Sequence, residues 1–218
     1  MSKHFVPMTP ALEEYLTRHS TRRDPLLAEL CAETARLGEI QVMQIAELQG
    51  SLMSLLTRAI SAERAVEVGT FTGYSAICVA RALPTHGKLL CCDVSDEWTR
   101  IARRYFARAE VAHKIDLRIG PALETLRALP RQPLFDIGFI DADKVNQHNY
   151  YEEVLVRLRS GGLLLIDNVL RDGRVIDESQ TDPSLRAVRA CNDAVAADPR
   201  VEVTMLPIAD GLSLIRKL

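Results

Sequence analysis

The stretch Arg64-Ala-Val-Glu-Val-Gly-Thr-Phe-Thr-Gly-Tyr-Ser75 decides the fold, because a strand, a turn and the start of a helix follow one another in it. Ala65 to Val68 is β-prone, Gly69 breaks the run, and residues 73–82 read as a helix. This order predicts the first βα unit of a nucleotide-binding type of sheet. We expect Gly69 to let a ligand approach the backbone where a Cβ would block it.

The turn argues against two common phosphate sites. Its G-x-x-x-G spacing fits neither the dinucleotide pattern G-x-G-x-x-G nor the phosphate-loop pattern G-x-x-x-x-G-K-[ST]. Glu67 lies beside the turn, where a phosphate-binding loop would avoid a carboxylate, and it favours a cationic or hydroxylated ligand. The alternative is that this segment is only a tight turn between strand and helix and binds no ligand.

Strands and helices alternate after this unit and predict an α/β fold. Predicted strands cover residues 65–68, 88–92, 115–119, 135–140, 163–166, 201–207 and 212–216. Predicted helices cover residues 73–82, 97–109, 123–129, 149–158 and 183–196. The pattern indicates a doubly wound, mostly parallel seven-stranded sheet with helices on both faces and an antiparallel last pair of strands.

Three helices are predicted before the first strand. Thr9-Pro10 and Asp24-Pro25 each pair an N-cap with a first-turn proline, and we expect Gly38 to cap the second helix. The third covers residues 46–60, and its predicted apolar face consists of Leu48, Leu52, Leu55, Leu56 and Ala59. We treat residues 1–218 as one domain, with a helical cap at 1–60 and a core at 61–218. Three roles are open for these helices: they cover the cofactor pocket, they form a subunit interface, or they simply cover the sheet.

Composition narrows the class of protein. The chain has 218 residues, a net charge of −2 and a pI of about 6.2, which gives no general attraction for nucleic acid or membranes. No apolar run is long enough to span a bilayer, and no apolar signal-peptide core is present. Five scattered cysteines without metal-ligand spacing indicate reduced thiols and a cytoplasmic location.

Acidic residues gather where four predicted strands end. Glu67, Asp93, Asp141 and Asp167 should meet at one rim, because ligands of open parallel sheets lie beyond the carboxyl ends of the strands. Asp93 is suited to accept both hydroxyls of a ribose. Its alternative role is to cap the next helix, but Ser95 stands closer to that helix.

Asp141, Asp167 and Asn168 together predict a metal site. Three oxygen side chains without sulfur or histidine suit Mg²⁺ or Ca²⁺ and leave coordination positions free for substrate. The alternative is that the two carboxylates cap loops or pair with Lys144 and Arg171. Lys144 lies three residues after Asp141 and could accept a proton there.

Several motifs, in the same order, resemble the cation-dependent O-methyltransferases of the caffeoyl-coenzyme A and catechol type. They cover residues 66–75, 120–122, 135–144, 161–170 and 210–217, and the similarity runs from about Met43 to the C-terminus. The resemblance implies a Rossmann-like fold that binds S-adenosylmethionine (SAM). It also implies a divalent cation, Mg²⁺ or another such as Ca²⁺ or Mn²⁺.

The resemblance also implies roles for individual residues. Glu67, Gly69, Thr70 and Ser75 would lie on the methionine and ribose side of SAM. Asp93 would hold the ribose hydroxyls and Ala122 would lie against the adenine, with Met43, Asp141 and Asp143 as further cofactor contacts. Asp141, Asp167 and Asn168 would be the metal ligands. Lys144 matches the general base of the catechol enzymes, and Asp141 would share in catalysis.

The expected reaction is methyl transfer from SAM to one hydroxyl of an aromatic vicinal diol. The tryptophan that commonly follows the Asp-Asn pair is replaced by Arg171, and aromatic residues make up only 5% of the chain, so the acceptor is left open. The alternatives are a hydroxylated tRNA nucleoside as acceptor, a nicotinamide-dependent oxidoreductase and a non-catalytic module. A tRNA acceptor would need a basic surface from Arg100, Arg103, Arg104, Arg108 and Arg171. We expect a homodimer, as is usual in the family.

Overall fold

The computed structural model describes residues 6–20 and 24–218; residues 1–5 and 21–23, which belong to the predicted cap, lie outside this range. Within the described residues, seven strands form one sheet in the order β3-β2-β1-β4-β5-β7-β6. The strands are β1 Arg64–Val68, β2 Lys88–Asp93, β3 Ile115–Ile119, β4 Phe135–Ile140, β5 Leu158–Asp167, β6 Val201–Leu206 and β7 Leu212–Lys217. β7 alone runs antiparallel to its neighbours β5 and β6, so the predicted α/β sheet and its antiparallel last pair are confirmed.

Helices cover both faces of this sheet. They are α1 Pro10–Arg18, α2 Pro25–Thr34, α3 Glu47–Ala59, α4 Tyr74–Ala82, α5 Asp96–Arg108, α6 Ala122–Ala128, α7 Gln147–Arg157 and α8 Pro183–Ala196. One buried cluster joins the sheet to α2–α5, and a second joins the other face to α6–α8. No helix in the described ranges has the length and apolar character needed to cross a membrane.

The caps explain several helix starts. Thr9, Asp24 and Asp182 accept backbone N–H groups of the first turns of α1, α2 and α8, each followed by a proline. Ser95 caps α5 by accepting the N–H of Trp98, which confirms that Asp93 is not the capping residue.

Two predicted boundaries were wrong. α2 ends at Thr34 and passes into a 3-10 helix at Ala35–Met43, so Gly38 kinks that segment with φ 74° instead of capping α2. β5 starts at Leu158, five residues before the predicted start, because Gly161 takes φ 73° at an irregularity of the β4–β5 register and the strand continues through it.

The predicted apolar face of α3 was wrong in part, since Leu52 and Leu56 do pack against a buried cluster. The helix buries Gln49, Gly50, Met53 and Thr57, whereas Leu55 is 62% exposed. Gly50 allows this face to approach α4, because a Cβ there would lie 2.8 Å from the Tyr74 ring. The Thr57 hydroxyl is satisfied by the carbonyl of Met53 at 2.7 Å. The close approach of Gly50 to α4 therefore acts together with the apolar side chain of Met53 to set the buried face.

Candidate active site

The register of four neighbouring strands brings the predicted acidic residues into one row. Val68 is paired with Cys92 in β2 and with Ile140 in β4, and Ile140 is paired with Ile166 in β5. The residues that follow these positions therefore form a row across the carboxyl edge of the sheet: Asp93, Gly69, Asp141 and Asp167. Adjacent members of such a row are about 5 Å apart along the hydrogen-bonding direction.

Gly69 is required by a backbone neighbour. It has φ 92°, and a Cβ at this position would lie 1.9 Å from the backbone oxygen of Asp141. The N–H of Gly69 donates to the carbonyl of Cys92 at 2.9 Å, and the N–H of Asp141 donates to the carbonyl of Val68 at 2.8 Å. The close contact between the β1 and β4 loops is thus a reason for this glycine that the sequence did not show, and the approach of a ligand to Gly69, which lines the cavity described below, stays a prediction.

Asp93 holds the glycine turn in place. Its Oδ2 accepts the N–H groups of Thr70 at 2.9 Å and Phe71 at 2.7 Å, and its Oδ1 accepts the N–H of Ser95 at 2.8 Å. A carboxylate has about four acceptor positions, so roughly one is left for a ligand hydroxyl. The side chain that was predicted to bind a ribose thus also orders the loop beside it.

Glu67 lies beneath the turn in the interior. The residue is 1% exposed, and burial raises the pKa of its carboxyl to about 8. The nearby hydroxyls of Ser75 and Thr70 oppose this rise, and the charges of Asp141 and Asp93 add to it. Its Oε2 has no hydrogen-bond partner among the described residues.

A cavity of about 500 Å³ opens above the row of strand ends. With the exception of Glu67, every predicted site residue lines it: Met43, Gly69, Thr70, Ser75, Asp93, Ala122, Asp141, Asp143, Lys144, Asp167 and Asn168. Trp98 meets Phe71 edge to face at 5.4 Å and adds an apolar wall next to Ala122. This volume is in the range of small-molecule sites.

Asp141 and Lys144 form an ion pair on the wall of this cavity. Lys144 Nζ lies 3.0 Å from Asp141 Oδ1, and the two side chains are 10% and 17% exposed. This is one of the pairings considered as an alternative to metal binding. The other, with Arg171, does not occur: Arg171 has no ion-pair partner among the described residues.

Asp167 and Asn168 complete the acidic end of the cavity. Asp167 is 4% exposed, and burial raises the pKa of its carboxyl well above its usual range, with the charge of Asp141 as the second cause. Asn168 has φ 57°, and its N–H donates to Asp167 Oδ1 at 2.7 Å. No three His, Cys, Asp or Glu side chains of the described residues are grouped as a metal site. The trio here has only two carboxylates, with an amide as third oxygen donor.

Asp143 is exposed, and three of its roughly four acceptor positions are in use. Its carboxylate accepts the backbone N–H and the side-chain amide of Asn146, at 3.1 and 2.7 Å, and the hydroxyl of Tyr150. It therefore fixes the 3-10 turn Lys144–Asn146 that carries Lys144.

Two polar residues of the site were not predicted from the sequence. Gln49 of α3 is fully buried next to Asp167, where its amide opposes the rise of the Asp167 pKa, and neither amide atom makes a hydrogen bond of normal length in the described part of the chain. Gln147 donates from its amide to the carbonyl of Asp167 at 3.1 Å. A glutamine among the leucines of a predicted helix was the available signal, but the sequence pattern gave Gln49 no role.

The comparisons with known proteins agree with this geometry. The family model described as O-methyltransferase matches residues 17–218. A probable caffeoyl-CoA O-methyltransferase of Dictyostelium discoideum is 41% identical over 208 residues, which cover 94% of this chain and 90% of the relative. The catechol O-methyltransferase domain-containing protein 1 of Mus musculus is 40% identical over 215 residues, with 97% and 82% covered.

Solved structures are similar over nearly the whole chain. TomG, an O-methyltransferase of Streptomyces achromogenes in complex with SAM, has a TM-score of 0.87 at 30% identity, with 95% of this chain and 96% of TomG covered. The O-methyltransferase of Bacillus cereus in complex with S-adenosylhomocysteine (SAH) has a TM-score of 0.87 at 31% identity, with 95% and 97% covered. These matches overturn the oxidoreductase alternative, and the chain belongs to the SAM-dependent O-methyltransferase family.

Proposed function

We propose that this O-methyltransferase transfers the methyl group of SAM to one hydroxyl of a catechol-like acceptor, with a divalent cation at Asp141, Asp167 and Asn168. The observation that carries the proposal is the shared cavity. The turn Gly69–Phe71, two buried carboxylates, an amide and one lysine line the same space at adjacent strand ends. Donor and acceptor sites in one cavity suit direct transfer between two bound molecules.

SAM supplies a methyl group activated by its sulfonium charge. We assign its binding to the residues that the resemblance implied, namely Met43, Glu67, Gly69, Thr70, Ser75, Asp93, Ala122, Asp141 and Asp143. The turn supports this because Asp93 keeps Thr70 and Phe71 ordered before any ligand arrives. Glu67 differs from the others, since it lies beneath the cavity and would act on the turn from below.

The oxygen donors fit a hard cation such as Mg²⁺, Ca²⁺ or Mn²⁺. Asp141 and Asp167 are neighbouring carboxylates, and Lys144 contacts only the first of them. Two such carboxylates in a largely buried place need a compensating positive charge. A bound divalent cation would make an acceptor hydroxyl more acidic by withdrawing charge from its oxygen.

Lys144 is our choice for the group that accepts the hydroxyl proton; it would do so as the neutral amine, after the bound cation has replaced it as the partner of Asp141. It is the one lysine, in the described part of the chain, that lines the cavity, and no histidine lines it. Asp141 holds the Lys144 side chain against the wall, and Asp143 fixes the turn beneath it. The two aspartates therefore act as positioning residues for this lysine.

A tRNA acceptor is less well supported. Arg100 and Arg103 both contact Asp96, and Arg104 and Arg108 contact Glu33 and Glu29, respectively. These pairs cancel most of the positive charge that such a surface would require. The homodimer, the cytoplasmic location and the division into a cap and a core stay predictions.

The proposal is tested by methyl transfer from SAM to a panel of catechols, with and without Mg²⁺ and with EDTA. We expect transfer that EDTA abolishes and Mg²⁺ restores. Calorimetric titration with SAH in the same buffers separates loss of the acceptor site from loss of cofactor binding. Transfer that is unaffected by EDTA would contradict the metal assignment, and binding of SAH without transfer to any catechol would contradict the acceptor class.

A further inference from the structure

Arg171 stands on a loop whose backbone is held in a conformation that is unfavourable for side chains. Arg171 and Asp172 have φ values of 50° and 55°, and Gly173 follows with φ 78°. Left-handed conformations of this kind persist for non-glycine residues only when the surroundings impose them. Here the surroundings do: Leu170 N–H donates to the carbonyl of Asp210 at 3.0 Å, and Asp172 N–H donates to Asp210 Oδ1 at 2.5 Å.

The side chain of Arg171 lines the active-site cavity without a partner. Its Nε is buried and lacks a hydrogen bond, and the guanidinium forms no ion pair within residues 6–20 and 24–218. The neighbouring arginines differ from it. Arg174 contacts Asp182, and Arg189 donates to the carbonyls of Val175, Gln180 and Arg174.

An unpartnered cation in such a place is unusual, because a buried donor costs free energy unless something accepts from it. The other cation of the cavity, Lys144, is already paired with Asp141. Asp210 lines the same cavity as Arg171. Its Oδ1 accepts the N–H of Asp172, and it makes no ion pair with Arg171. The positive charge of Arg171 is therefore available to a ligand.

We infer that the acceptor carries a carboxylate close to its aromatic ring and that Arg171 binds this carboxylate. The inference rests on the proposed function and specifies its substrate class. Arg171 follows Asn168 by three positions, so their Cα atoms lie at most about 11 Å apart, and both residues line the same cavity. We therefore place the bound anion on the same ligand as the reacting hydroxyls. The planar guanidinium matches the two oxygens of a carboxylate.

The same reach argues against an acceptor whose anionic groups are the phosphates of a coenzyme A thioester. Those phosphates are separated from the ring by a long pantetheine arm, and the thioester itself has no charge beside the ring. Arg171 should therefore distinguish a free hydroxylated aromatic acid from its thioester.

The test compares matched ligands and matched variants. Calorimetry with SAH and Mg²⁺ present measures the Kd of 3,4-dihydroxybenzoate and of the neutral 4-methylcatechol, and methyl-transfer assays measure kcat/KM for both. The variants are Arg171→Gln, Arg171→Lys and the control Arg186→Gln. Arg186 is exposed on α8, lies outside the cavity lining and has no ion pair among the described residues.

We expect Arg171→Gln to weaken the acid about 10- to 100-fold in both Kd and kcat/KM, as befits the loss of a charge-assisted hydrogen-bond pair, and to change 4-methylcatechol less than about threefold. Arg171→Lys should retain part of the preference, and Arg186→Gln should retain all of it. Equal losses for both ligands, or a wild-type protein that binds the acid no better than the neutral catechol, would overturn the inference.

Caffeate and its coenzyme A thioester form a second pair. A loss in Arg171→Gln confined to the thioester would also overturn the inference, because phosphate and not carboxylate would then be the bound anion. If no catechol is methylated, the proposed function fails, but the Kd contrast between acid and neutral ligand still decides the role of Arg171. Thermal unfolding of each variant checks that it is folded.

Discussion

The two ends of the same sheet treat polar groups in opposite ways. At the amino end, Asp136 accepts the N–H groups of Glu63 and Arg64 at 2.8 Å and Arg159 Nε at 2.7 Å. At the carboxyl end, Glu67 Oε2, Thr70 Oγ1 and both amide atoms of Gln49 are buried without partners among the described residues. Satisfied groups hold strands together, whereas unsatisfied ones leave bonding capacity for a ligand. The polar groups at the amino end of the sheet therefore serve stability, and those at the carboxyl end serve ligand binding.

Asp141→Asn should give the largest effect on the functional end. We expect methyl transfer to fall about 10²- to 10³-fold, because the variant removes a charge that faces both the cation site and Lys144. Steady-state assays at saturating SAM measure this. The control Asp116→Asn removes a carboxylate that pairs with Arg118 outside the cavity lining, and should keep the wild-type rate. An Asp141→Asn variant with more than half of the wild-type activity would contradict the assignment of function to the carboxyl end of the sheet.

Gly69→Ala should give the largest effect on stability. Its Cβ would lie 1.9 Å from the Asp141 oxygen, so the two loops must separate, and we expect a loss of about 3 kcal/mol or more. Gly38→Ala is the matched control, since Gly38 also has positive φ but no atom within 4 Å of a Cβ. That variant should lose only the backbone strain of an alanine at positive φ, about 1–3 kcal/mol, without the cost of a clash. Urea unfolding distinguishes them, and equal losses would mean that the contact is unimportant.

Glu67→Gln should change how stability depends on pH. Burial raises the pKa of the folded-state carboxyl to about 8, above the ordinary value of 4.5, so the folded protein keeps a proton that the unfolded chain releases. Wild-type stability should therefore fall as pH rises from 4.5 to about 8, by at most about 1.4 kcal/mol per pH unit. The variant lacks this proton and should lose that slope. Parallel urea curves for both proteins across the window would contradict the assignment.

Asp136→Asn tests the amino end of the sheet, where the polar groups are hydrogen-bonded, and should have the smallest effect on the protein. Burial alone would raise the pKa of Asp136, but the N–H groups of Arg64 and Glu63 and the Arg159 guanidinium outweigh it and hold the pKa below its ordinary value. The carboxylate thus stabilises the fold at neutral pH, by about 1–2 kcal/mol relative to asparagine. This advantage should disappear as pH falls below the ordinary value of 3.8, because the folded-state carboxyl then protonates. A difference in stability between wild type and variant that persists at acid pH would contradict this assignment. Methyl transfer should be the same in both proteins.

The sequence by itself determined the order of strands and helices, the family and the group of acidic residues at the strand ends. These are local or additive properties: alternation, caps and glycine breaks depend on a few neighbouring residues, and parallel strands bring their carboxyl ends together in any such sheet. Eleven of the twelve predicted site residues line one cavity for that reason, with Glu67 beneath it.

Only the tertiary structure decided which face of α3 is buried, that Gly69 meets the Asp141 backbone and that Arg171 has no partner within residues 6–20 and 24–218. Each depends on the distance between segments that are remote in the chain. Gly50 against Tyr74 sets the α3 face, and the Asp141 backbone sets Gly69. Arg171 has no ion-pair partner among the described residues, while Asp210 in the same cavity accepts the N–H of Asp172 across 38 residues, an arrangement that no local pattern predicts.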